Sequence, residues 1–148
     1  MQYLHTKKML LIGLLFFPYI VFAQHSIEGV WSPLRNPCMS GSIERDFSWG
    51  RRTISRHIDL VVDLHSEPPT IWIPQAHYPP DRIISFNEQG NVTELYIFSA
   101  ERGSSFVAVF HFNEDGTMWI ERSQYAHGYF WGAGEDYILH KVAGPEFD

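Results

Sequence analysis

The sequence predicts an all-β fold: one antiparallel up-and-down meander of about eight strands closed into a barrel, with a two-sheet β-sandwich as the alternative. Three observations carry that prediction. First, a phrase occurs twice. Phe86-Asn87-Glu88-Gln89-Gly90-Asn91-Val92 returns 26 positions later as Phe112-Asn113-Glu114-Asp115-Gly116-Thr117-Met118. Each copy joins two apolar stretches through a polar turn with a Gly, the signature of a hairpin. Second, side chains sort onto two strand faces at period two, one of them unbroken in apolar residues. Phe106, Ala108, Phe110 and Phe112 point one way, with Val107, Val109 and His111 the other. Third, no segment has the spacing of a convincing amphipathic helix.

The chain opens with a leader. Lys7 and Lys8 precede a 14-residue apolar stretch from Met9 to Phe22, and Val21-Phe22-Ala23 places small residues before Gln24. That pattern predicts a secretory signal peptide over 1–23, cleaved to leave one domain over 24–148. The stretch is shorter than the ~20 apolar residues of a membrane span, and no later segment is long and apolar enough. The protein is therefore expected to be exported, to the periplasm or beyond, with no span after cleavage.

Strands are expected over 26–31, 52–65, 70–73, 82–86, 92–99, 105–112, 117–123 and 136–142, rich in Ile, Val, Phe, Tyr and Trp. Ile58, Leu60, Val62 and Leu64 make one face of the long second strand. Met118 and Ile120 continue the face of Phe110 and Phe112 across the second turn, and Phe86 and Phe112 deliver their strands to a shared core. A short helical turn near 43–47 is the one departure from β structure. Long connections are expected over 32–51, 66–81 and 123–134.

With 17 acids against 11 bases, loss of Lys7 and Lys8 leaves nine bases and a net charge of about −8. An acidic chain without a basic run is a poor nucleic-acid binder. The lone Cys38 provides no intramolecular disulfide, so the core must hold the fold.

Gly29-Val30-Trp31 near the mature N-terminus resembles the Gly-x-Trp that opens the first strand of lipocalin-like (calycin) barrels. The hairpin phrases and the closing Tyr137-Ile138-Leu139-His140-Lys141 are similar to those of small exported bacterial members. The resemblance implies that Trp31 lies across the closed end of a barrel beneath a late basic side chain, Lys141 or Arg122. It names no ligand.

Candidate sites follow from chemistry. Period two puts His57, Asp59, Asp63 and His65 on one strand face, a donor set that suits Zn²⁺ or a similar ion, though the wet outer face of a barrel strand is the simpler reading. The loop Tyr125-Ala126-His127-Gly128-Tyr129-Phe130-Trp131 concentrates aromatic rings on glycine-rich backbone. With Trp49 and Trp72 it is expected to rim a barrel mouth and hold a small, partly apolar ligand, His127 fixing its orientation. Arg51 and Arg52 are expected to pair with nearby carboxylates. Gly29, Trp31, Gly90 and Gly116 are structural. No Gly-x-Ser-x-Gly, His-Glu-x-x-His or phosphate-binding glycine loop occurs, so neither a catalytic residue nor a cofactor is assigned. The leading expectation is an exported binding module. The alternatives are a filled barrel acting as an envelope-structural or protein-interaction domain, and a metal-binding protein or enzyme.

Overall fold

A computed structural model describes residues 26–33, 42–55, 59–73, 79–121 and 134–147, and everything below concerns these. They form ten strands: β1 Gly29–Ser32, β2 Ser42–Phe47, β3 Gly50–Ser55, β4 Leu60–Asp63, β5 Thr70–Trp72, β6 Asp81–Gln89, β7 Val92–Ser99, β8 Ser104–Phe112, β9 Met118–Ile120 and β10 His140–Ala143. Eight of them make one antiparallel sheet in the order β10-β1-β4-β5-β6-β7-β8-β9. Its two ends meet where Met118 and Leu139 exchange backbone hydrogen bonds of 3.0 and 2.8 Å, with Gly134 N donating to Ile120 O close by. The sheet is thus a nearly closed eight-stranded barrel, and the sandwich alternative falls away.

Alternation lines the inside with apolar side chains. Trp31, Leu60, Val62, Ile71, Ile83, Leu95, Ile97, Ala108, Phe110, Phe112, Met118, Ile120 and Leu139 form one buried cluster, with Leu64 and Phe106 packed against it. Each large member contributes roughly 1.5–3 kcal/mol by leaving water. The expected inner face from Phe106 through Ile120 is therefore present. Both repeated turns also hold. Gly90 has φ 61°, and its neighbour Asn91 does not share the positive φ, the pattern of a two-residue II′ hairpin between Gln89 and Val92. Gly116 has φ 81° in the longer β8–β9 turn, where Asp115 Oδ1 accepts from Thr117 N at 3.0 Å and Thr117 Oγ1 at 2.6 Å.

Three expectations are corrected. Residues 43–47 are not helical: they belong to β2, which pairs with β3 from Ser42↔Ser55 to Phe47↔Gly50. The long strand over 52–65 is two strands, β3 and β4, in different sheets. Phe86 does not share the core with Phe112, since Phe86 is 50 % exposed and Phe112 is 4 %. Phe86 pairs with buried Leu95, but it lies past the point where β6 leaves β5, which it pairs only at Arg82 and Asp81, so no strand flanks it on that side.

The β2–β3 hairpin forms a second layer. It lies on the outer face of β1, β4, β5 and β10, where Ile54 meets Val30, Val61 and Ala143 in a separate buried cluster, flanked by Ile43, Phe47, Trp49, Trp72 and Val142.

Candidate functional site

The antiparallel registers sort the connections onto two rims. One rim carries the start of β1, the β4–β5 turn, both repeated turns and the C-terminal Gly144–Phe147. At the other rim β1 ends, β5 ends, β6 begins, β9 ends and β10 begins. The barrel strands that border residues 34–41 (β1), 74–78 (β5 and β6) and 122–133 (β9 and β10) all meet them on that second rim.

At the first rim Trp31 is 1 % exposed. Its Nε1 donates to Ile27 O at 2.8 Å, and its ring meets Phe112 edge-on at 5.9 Å. Lys141 Nζ lies 5.2 Å from the Trp31 ring centroid, donates to Ser26 O at 2.9 Å and pairs with Glu146. The late basic partner is therefore Lys141; Arg122 lies outside the described residues. Gly29 makes the arrangement feasible. Its φ is 141°, and a Cβ there would sit 2.5 Å from Ala143 O and 2.6 Å from Lys141 Cε. Any side chain would occupy the space through which Lys141 reaches the indole. Outside this plug lies an open cleft of about 480 Å³, lined by Ser26, Asp115, Thr117, His140, Lys141 and Glu146 among others. Its Asp115 carboxyl is held below the usual carboxylate range by the Thr117 side-chain and backbone hydrogen bonds, with His140 adding to the effect.

The expected metal set is described only in part. His57 lies outside the described residues. Asp59 and Asp63 are buried rather than wet, at 1 % and 8 % exposure. Asp63 forms a turn: its Oδ1 accepts from the backbone N–H of His65 and Ser66 at 3.1 and 3.0 Å. His65 Nδ1 contacts Glu28 Oε2 at 2.7 Å, and Glu28 Oε2 also accepts from Leu64 N at 2.7 Å. That hydrogen bond and the Glu28 charge raise the His65 pKa above its ordinary value. Among the described residues no three His, Cys, Asp or Glu converge as metal ligands.

Of the expected ligand contacts, Tyr125, His127, Tyr129, Phe130 and Trp131 lie outside the described residues, as does Cys38. Trp49 and Trp72 belong to the outer layer. Trp72 pairs with Val61 in register and so shares its outward face, with Arg45 Cζ 4.4 Å above the ring. Trp49 stacks on Phe47 at 4.2 Å, under Arg52. Both indoles help the hairpin grip the barrel wall. Arg51 pairs with Asp46 at 2.9 Å and Glu44 at 3.7 Å, as expected for a surface arginine. This contact lowers the Asp46 pKa and raises that of Arg51.

Two features escaped sequence reasoning. Glu28 and His65 stand 37 positions apart, and no local signal links them. The other is His111, whose ring stacks on Trp119 at 4.0 Å while Nε2 contacts Glu121 Oε2 at 3.0 Å. Period two already placed His111 outward, and the same rule applied to β9 puts Trp119 beside it. They border an open polar groove of about 500 Å³ with Asn91, Asn113, Glu135 and Ile138. No protein-family model matches the chain, and no curated protein or solved structure shows significant similarity to it.

Proposed function

We propose that this chain is an exported, lipocalin-like binding module that takes a small, partly apolar ligand through its loop-bearing rim. One observation carries the reading: Trp31 and Lys141 close one end of the barrel, while the barrel strands that border residues 34–41, 74–78 and 122–133 meet them at the other. A barrel of eight strands is wide enough for one small ligand. The aromatic residues Tyr125, Tyr129, Phe130 and Trp131 belong to one of those connections and would supply apolar contact, with His127 as the orienting polar group. Gly29, Trp31 and Lys141 have the arrangement that the lipocalin resemblance implies, which supports the family reading without naming a ligand. Native mass spectrometry of the protein purified without detergent, before and after solvent extraction, tests the proposal. A bound mass that disappears on extraction is expected. A bare polypeptide mass in both preparations, with no uptake of an apolar fluorescent probe, would sink it.

The filled-barrel alternative draws on a different observation. The buried inner cluster reaches from Trp31 near the plug to Ile120 and Ile83 further along the barrel. Under that reading the loops dock a protein partner. Crosslinking in the source envelope would then recover one recurring partner, lost on Trp131→Ala.

A further inference from the structure

We infer that the outer face of β6, β7 and β8 is a self-association surface for a second copy of this chain. The barrel has two apolar outer faces. The β2–β3 hairpin covers the one built from Val30, Val61 and Ala143. The other is bare. Strand register brings Tyr96 beside Ser85 on one side and Val107 on the other, and the shift next to Ser85 places Ile84 in the same row. Ile84, Tyr96 and Val107 are 48 %, 43 % and 45 % exposed. Three large apolar side chains side by side on adjacent strands make a contiguous patch rather than scattered surface residues, which marks an interaction surface.

The charges beside this row identify the occupant. Outward positions recur every second residue, about 6.6–6.8 Å apart along a strand. One step toward the loop-bearing rim is Phe98, with the guanidinium of exposed Arg82 5.5 Å above its ring. One step the other way on the same strand is exposed Glu94. The face therefore carries a cation and an anion on opposite sides of its apolar row. A two-fold axis lying along that row, in the plane of contact, sets each strand against its own counterpart and exchanges the flanking rows. Glu94 of one copy then meets the partner's Arg82, twice over, while Tyr96 and Val107 pack across the axis. A face that is its own electrostatic complement fits an isologous dimer.

Sedimentation velocity on the mature chain tests this, over roughly 1–200 μM, the span in which a modest apolar interface with two charge pairs would associate. A concentration-dependent dimer is expected. Arg82→Glu and Glu94→Arg should each weaken it at least ~10-fold, and the double exchange should return affinity to within ~3-fold of the parent, because only a reciprocal pair is restored by swapping both signs. Tyr96→Lys should abolish it. These side chains are exposed, so unchanged far-UV circular dichroism in each variant separates lost association from lost fold. A monomer throughout the range overturns the inference, as does a double exchange no tighter than the single variants. Monomers that co-sediment with phosphatidylcholine vesicles through Tyr96 would overturn it in favour of a lipid surface.

Discussion

Replacing Gly29 by Ala tests the plugged end most sharply, because two separate costs arise at one atom. The first is backbone strain. Gly29 has φ 141°, a region essentially confined to Gly, where a side chain costs of order 1–3 kcal/mol. The second is contact: the new Cβ would lie 2.5 Å from Ala143 O, a backbone atom in the paired strand, and 2.6 Å from Lys141 Cε. The Lys141 stem can move aside, but only by surrendering the Trp31 ring and Ser26 O. The carbonyl cannot move without opening the β1–β10 pairing, three residue pairs interrupted by a bulge. Together these predict a loss of about 3 kcal/mol or more, a large share of the roughly 5–15 kcal/mol that holds a domain of this size. Thermal unfolding followed by circular dichroism should show a midpoint roughly 10–15 °C lower. Gly90→Ala is the control. Gly90 also has positive φ, but nothing lies within 4 Å of the added Cβ, so it should cost only about 1 kcal/mol. Equal losses for the two variants would refute the claim that Gly29 exists to admit Lys141.

Three further outcomes follow from the same geometry. Lys141→Met keeps the aliphatic stem but removes the cation above Trp31 and the donor to Ser26 O; a loss of about 1–3 kcal/mol by chemical denaturation is expected, with altered indole fluorescence. Phe110→Ala, at a wholly buried position, should cost about 3–5 kcal/mol, while Val107→Ala on the outer face should fall within about 0.5 kcal/mol of the parent in the monomer. The Glu28–His65 pair predicts a pH dependence. Because the folded His65 pKa is raised, its contribution is fully present below the unfolded value of about 6.5 and is lost as pH rises through the folded value. His65→Gln should flatten stability against pH in that window, read by denaturant midpoints, and an NMR titration giving an unraised His65 pKa would contradict the pairing.

Much of the barrel was legible because period two and turn chemistry agree over β7 to β9. Leu95, Ile97, Ala108, Phe110, Met118 and Ile120 all alternate onto one inner face, and Gly90 and Gly116 sit where the turns require positive φ. The division between β3 and β4 was not legible, for a physical reason. Ile54, Leu60 and Val62 keep one parity, as though on a single strand, yet Ile54 is buried between the hairpin and the barrel's outer wall and Leu60 inside the barrel. Alternation reports that a side is hidden, not what hides it. The 43–47 segment was ambiguous because Ile43 and Phe47 satisfy both helical and strand spacing, and only pairing with β3 decides. At the candidate site, Gly29 and Trp31 carried a local signature. Trp72 did not, since an aromatic residue reads the same whether it faces a cavity or an outer layer. The Glu28–His65 contact is purely tertiary, made when β4 pairs beside β1.

The most direct test of the central claim is the interior volume of the barrel above Trp31, measured in a crystal structure of the protein purified without extraction. The account predicts an apolar chamber of about 300 Å³ or more, opening on the rim opposite Lys141 and holding density that the polypeptide does not explain. An interior filled by the chain's own side chains up to that rim would contradict it.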